Sequence, residues 1–124
     1  MNYKLEHVGV MVSDMEKSLQ FYQEVFGLIL RRREKLSEQI ELAFLHHPDQ
    51  PNMELELISG RQIHTQDGLV HHIAFRVENI SEELIRLKNL GVNLTDESPR
   101  TVMDNVKIAF LRGPDGEILE LVER

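Results

Sequence analysis

Over residues 7–12 apolar and polar or small positions alternate. Val8, Val10 and Val12 take one face of a strand, and His7, Gly9 and Met11 take the other. The period then lengthens. Met15, Leu19, Tyr22 and Phe26 recur at helical spacing behind Ser13 and Glu16, a capping-box pair, and Gly27 ends the run. Strand-like stretches follow at about 28–34, 40–46 and 53–58. The pattern then starts again. Ile73, Phe75 and Val77 form the apolar face of a strand. Ser81 is placed to cap a helix in which Ile80 and Ile85 form a hydrophobic staple, Leu84 and Leu87 continue the apolar face, and Gly91 is the stop. Further strands are expected at about 92–95, 106–111 and 117–122, with turns at "PDQPN" and "PDG" before the last strand of each set.

The recurrence is an internal repeat. "HVGVMVSDMEKSLQFYQEVFGL" from His7 matches "HIAFRVENISEELIRLKNLGV" from His72, and "IELAFLHHPDQPNMELELI" from Ile40 matches "VKIAFLRGPDGEILELV" from Val106. The offsets agree: 65 for His7 and His72, 66 for Ile40 and Val106, 64 for Glu56 and Glu120. Each half reads βαβββ, and neither carries enough apolar residues for a core of its own. The expected fold is α+β: modules at about 1–60 and about 68–124, in tandem, forming one curved mixed sheet within a single domain over residues 1–124.

The repeat divides the adjacent histidines of "GLVHHIAFRV". His72 matches His7 and shares a face with Ala74 and Arg76; His71 has the parity of Ile73 and is expected on the core side, packed or hydrogen-bonded. Glu56 in "LELI" aligns with Glu120 in "LELV", each opposite its leucine neighbours. Each half thus carries one histidine and one glutamate on the face away from the core. Two imidazoles and two carboxylates suit one divalent ion (Ni²⁺, Zn²⁺, Co²⁺, Mn²⁺ or Fe²⁺), with positions left open for water or substrate. Glu54 shares the face of Glu56, but its repeat partner is Ile118, so it reads as solvated or supporting. Arg76 points toward the same hollow, where it would meet a substrate carboxylate or phosphate, or pair with Glu54 or Glu56. Arg100 and Lys107 are candidates for an anionic tail, with solvated loop charge as the alternative. "RRREK" at 31–35 reads as a solvated strand or loop, with binding of a substrate's anionic tail as the lesser alternative. His46, His47 and His64 have no histidine equivalents, and no chemistry is assigned to them.

Composition narrows the classes. The 124-residue chain carries a net charge of −7, against the basic patch of a nucleic-acid binder. No apolar run approaches the ~18–20 residues of a membrane span, and "MNYKLEHVGV" lacks the pattern of an export signal. With no cysteine, disulfides, thiolate ligands and cysteine nucleophiles are excluded, which fits a cytoplasmic protein.

The stretches "HVGVMVSDMEKSLQFYQEVFGL", "HHIAFRVENI" and "GPDGEILELVE" resemble the vicinal oxygen chelate superfamily across essentially the whole chain. That superfamily pairs βαβββ modules around a divalent metal. It includes glyoxalase I (lactoylglutathione lyase), methylmalonyl-CoA epimerase, extradiol dioxygenases, and fosfomycin and bleomycin resistance proteins. The resemblance puts the metal positions on His7, Glu56, His72 and Glu120, a set similar to bacterial glyoxalase I. It implies a metal-dependent lyase that isomerises a methylglyoxal–thiol hemithioacetal, with Glu120 as base and Glu56 as ligand or partner base. The alternatives are an epimerase acting on an acyl-CoA, which "GLVHHIAFRV" and "DESPR" resemble more, a metal-free drug-binding module, and a fosfomycin-type thiol transferase. A homodimer is implied, with the site built within one chain or across two. Met11 and Gly60 stand where bacterial glyoxalase I commonly has an arginine and an asparagine for glutathione.

Overall fold

A computed structural model describes residues 2, 4–63, 70–103 and 105–124. It divides into two compact units, Met1–Thr65 and Gln66–Arg124. The first contains β1 (His7–Val12), α1 (Met15–Phe26), β2 (Ile29–Lys35), β3 (Glu41–His47) and β4 (Gln50–Ser59). Its sheet runs β1-β4-β3-β2, with β1 parallel to β4 and the other pairs antiparallel. A parallel neighbour requires a crossover, and α1 with the β2–β3 hairpin supplies it. Met15, Leu19, Tyr22 and Val25 of the helix are buried, as are Val12, Ala43, Leu45, Leu55 and Leu57 of the sheet.

The helix starts one residue later than the capping-box reading. Asp14, in an extended conformation, is the N-cap, and its Oδ1 accepts the Lys17 N–H at 3.1 Å. A carboxylate there also complements the positive end of the helix dipole. Gly27 closes the helix as expected, at a left-handed φ of 66° with its N–H donated to the Gln23 carbonyl. Ser18 is fully buried on the inner face of α1, and its hydroxyl has no hydrogen-bond partner among the described residues. Ser18→Ala removes that unsatisfied group and raises helix propensity, so it is expected to raise stability by about 0.5–1 kcal/mol in urea unfolding. A loss of stability would show that the hydroxyl is satisfied.

The second unit contains β5 (Ile73–Arg76), α2 (Ile80–Asn89), β6 (Asn93–Leu94), β7 (Arg100–Val102), β8 (Val106–Arg112) and β9 (Ile118–Glu123). Its sheet runs β5-β9-β8-β6, with β7 also on β8 and β5 parallel to β9. The strand expected at 92–95 is reduced to β6, and β7 was not anticipated at all. It pairs with β8 through a tight turn that places Met103 and Asn105 at positive φ, 48° and 64°. That turn has no glycine to announce it.

Asn79, not Ser81, caps α2: its side chain accepts the Glu82 N–H at 3.2 Å, while Glu123 accepts the Ile80 N–H at 2.9 Å. Ile80 is therefore the first helical residue and buried, whereas Ile85 is exposed, so the expected staple does not form. The Gly91 stop holds. Gly91 donates to the Lys88 carbonyl and Val92 to that of Leu87, a Schellman closure. Leu84 and Leu87 are buried, as are Ala109, Leu111, Leu119 and Leu121. Each unit is thus a mixed sheet with one helix on its apolar face. Among the described residues no helix is long and apolar enough to cross a membrane.

Candidate metal centre

Parallel pairing of the first and last strand builds one half-site in each unit. In the first, β1 and β4 align Gly9 with Glu56, two residues on from His7, and His7 Nε2 lies 3.9 Å from Glu56 Oε1. In the second, β5 and β9 align Ala74 with Glu120, and His72 Nε2 lies 3.5 Å from Glu120 Oε1. The two carboxylates are largely buried, at 16% and 13% side-chain exposure, while the imidazoles stand partly open. The histidine and glutamate that the repeat selected therefore come together twice, in the same way.

The donor chemistry of each pair fits a cation. Nitrogen and oxygen ligands of Zn²⁺-like ions sit at ~2.0–2.2 Å, so two donors sharing one ion lie no more than about 4 Å apart. Both pairs satisfy that limit with a ring nitrogen facing a carboxylate oxygen. Among the described residues no three histidine, aspartate or glutamate side chains gather at one point. Each unit presents one nitrogen and one oxygen donor.

The surroundings of the pairs match as well. Gly9 and Ala74 are the small neighbours of the two glutamates on one side. A Cβ on Gly9 would stand 3.2 Å from Glu56 Oε1, so the bare position leaves that carboxylate uncrowded. On the other side the neighbours are Phe44 and Phe110. Arg32 lies over the Phe44 ring at 4.0 Å and Arg100 over Phe110 at 5.7 Å, while His72 meets Phe110 edge-on at 5.7 Å. The phenylalanines were not singled out in the sequence, and Arg32 entered only as part of "RRREK". The shared "AFL" at 43–45 and 109–111 was the signal for the rings.

Other candidates fall in different places. Arg100 also bonds Asp96 at 3.2 Å. Arg76 donates to the Arg124 carbonyl at 3.2 Å. Lys107 stands 3.9 Å from Glu123, on the face of β8 and β9 that carries Ala109, Leu111, Leu119 and Leu121. Strand alternation thus sets it on the opposite face from Glu120, which corrects its expected grouping. Glu54 is buried rather than solvated, held by Arg31 at 2.8 Å and Arg32 at 3.2 Å. "RRREK" is likewise paired: Arg33 donates two bonds to Glu41, which hold the Glu41 carboxyl below its ordinary range, and meets Glu16 at 2.8 Å. His46 and His47 bond locally around the turn before β4, and His64 lies outside the described residues.

His71 is hydrogen-bonded as expected but departs from the expected core-side placement. It is exposed, with Nδ1 3.0 Å from His72 Nδ1 and the two rings nearly perpendicular. The strand starts only at Ile73, so alternation does not extend back to His71. In the first unit the equivalent place is taken by Glu6, whose Oε1 lies 2.7 Å from His7 Nδ1. That bond is the main cause of a raised His7 pKa, with burial opposing it and the Glu56, Glu6 and Glu54 charges adding to it.

Residues 4–121 match the Glyoxalase/Bleomycin resistance protein/Dioxygenase superfamily. The chain belongs to this superfamily. It is 36% identical over 123 residues to the uncharacterized protein YwbC of Bacillus subtilis, covering 98% of each chain. It is 31% identical over 126 residues to a probable lactoylglutathione lyase of Vibrio parahaemolyticus, covering 98% of this chain and 91% of the relative. Among solved structures, the trypanothione-dependent glyoxalase I of Leishmania major superposes with a TM-score of 0.81 at 26% identity, covering 98% of this chain and 87% of that one. The glyoxalase-like fold expected from the sequence is therefore the fold of the superfamily member described here.

Proposed function

We propose that this superfamily member is a divalent-metal-dependent lyase of the glyoxalase I type, converting a methylglyoxal–thiol hemithioacetal to the lactoyl thioester. His7, Glu56, His72 and Glu120 are its ligand set, supplied by one chain acting as a single domain or by two copies in a homodimer, with one ion per site. The observation that carries this reading is the doubled half-site: a histidine Nε2 facing a glutamate oxygen at 3.9 and 3.5 Å, at repeat-equivalent positions. Relatives named lactoylglutathione lyase support it.

A bound divalent ion would supply Lewis-acid polarisation of the substrate oxygens and so acidify the neighbouring C–H. Glu120 takes that proton and delivers it to the adjacent carbon. No atom is gained or lost, and the thioester forms by transfer of hydrogen within the adduct. Glu56 acts as ligand or partner base. Gly9 and Ala74 leave room beside the carboxylates, and Phe44 and Phe110 give each an apolar flank. Arg76 and Arg100 are proposed contacts for an anionic part of the substrate.

Metal-stripped protein is expected to lose turnover and to regain it with one of Ni²⁺, Zn²⁺, Co²⁺ or Mn²⁺. Titration should show stoichiometric uptake that His7→Ala abolishes. Uptake by His7→Ala equal to wild type would sink the ligand assignment. The thiol is open, because Met11 and Gly60 stand where bacterial glyoxalase I commonly has an arginine and an asparagine for glutathione. The stretches "GLVHHIAFRV" and "DESPR" favour a second reading, an epimerase that returns the proton to the same carbon of an acyl-CoA. A panel of methylglyoxal adducts of different thiols, with methylmalonyl-CoA beside them, separates the two.

A further inference from the structure

Both candidate ligand histidines have Nδ1 occupied by the residue immediately before them. Glu6 Oε1 lies 2.7 Å from His7 Nδ1, and His71 Nδ1 lies 3.0 Å from His72 Nδ1. The partners themselves, Glu6 and His71, are 65 positions apart, the offset that separates His7 from His72. Yet they differ in chemistry, one a carboxylate and the other an imidazole. Resting on the metal reading above, we propose that Glu6 and His71 are positioning residues that fix His7 and His72 in the Nδ1–H form, leaving Nε2 bare for the ion.

The first half of the argument is forced by hydrogen-bond roles. An ionised carboxylate only accepts, so at 2.7 Å the His7 nitrogen must donate. A neutral imidazole has a single N–H. With it on Nδ1, the lone pair is on Nε2, the atom that faces Glu56. Without such a partner a neutral imidazole favours the opposite form, with Nε2 protonated and unable to ligate. Metal-binding histidines need their second nitrogen held for this reason.

In the second unit two like nitrogens face each other, and they bond only if one carries hydrogen and the other does not. The arrangement that leaves His72 Nε2 free to share an ion with Glu120 has His72 donating and His71 accepting, the proton of His71 then residing on its own Nε2. The His72 ring is steadied further by its edge-on contact with Phe110, which His7 lacks among the ring contacts of the described residues. The two supports are therefore unequal. The charge-assisted bond from His7 to Glu6 is the stronger of the two.

Long-range proton–nitrogen NMR of the metal-free protein reads the form of each imidazole directly. His7 and His72 are both expected as Nδ1–H. Glu6→Ala should shift His7 alone toward Nε2–H, and His71→Ala should shift His72 alone. Zn²⁺ affinity, measured by competition with a chelator, should fall ~10–100-fold for Glu6→Ala and toward the lower end of that range for His71→Ala. Glu6→Gln and His71→Asn keep an acceptor oxygen and should restore most of it, which a general structural defect would not allow. The proposal is overturned if either wild-type imidazole is Nε2–H. It is also overturned if both alanine variants bind Zn²⁺ normally while His7→Ala and His72→Ala do not. Normal binding by His7→Ala and His72→Ala as well would instead remove the metal reading, and this inference with it.

Discussion

Glu120→Gln is expected to lower kcat on the preferred adduct by about 10²–10⁴-fold, the usual loss when a positioned base is removed. The amide has the shape of the carboxyl, so the buried strand β9 and its neighbours Ala74 and Phe110 are left undisturbed. What disappears is the basic oxygen 3.5 Å from His72 Nε2. Metal affinity should weaken in the same variant, because an amide oxygen is a poorer donor than a carboxylate. The two effects separate when kcat is measured at saturating metal. Wild-type turnover in Glu120→Gln would remove its assigned role and shift the base to Glu56, whose own Gln variant belongs in the same experiment.

The second large effect concerns stability. Gly60→Asn, which would restore a residue common in bacterial glyoxalase I, is expected to destabilise the protein by about 2 kcal/mol or more in urea unfolding. Gly60 has a φ of 97°, and a Cβ there would stand 1.9 Å from the Gln39 carbonyl oxygen. The atoms met are all backbone, of Gln39 and Ile40, so no rotamer change relieves the clash. The glycine is therefore required by the chain path between the start of β3 and the end of β4. Wild-type stability in Gly60→Asn would show that this loop yields easily.

The sequence made the four ligand candidates legible because two constraints act on them at once. Alternation sets the face, and the repeat sets the chemistry at that face. Gly27 and Gly91 were legible for an equally local reason, since a left-handed helix end needs glycine. Other features depend on what one residue cannot report about another. Asp14 and Asn79 outcompete the neighbouring serines as caps because the backbone, rather than the composition, decides which residue is extended. Alternation left Glu54 either solvated or supporting; it is buried because the register of β2 against β3 shifts between Leu30 and Arg32, and the resulting bulge lets two consecutive arginines reach it. A shift of that kind cancels any argument from parity. His71 failed for a related reason, since it precedes the strand whose alternation was applied to it.

The parallel pairings β1–β4 and β5–β9 also set when the half-sites exist. Gly9 and Glu56 are neighbours in space but 47 positions apart in the chain, and Ala74 and Glu120 are 46 apart. Hairpins such as β3–β4 and β8–β9 close short loops, whereas these contacts must first overcome the loop-closure entropy of nearly a whole unit. A histidine meets its glutamate only once the helix and the hairpins between them are in place. On the proposed metal reading, capture of the ion is tied to completed topology, and a chain caught with only its hairpins formed would carry the donor residues but hold no ion.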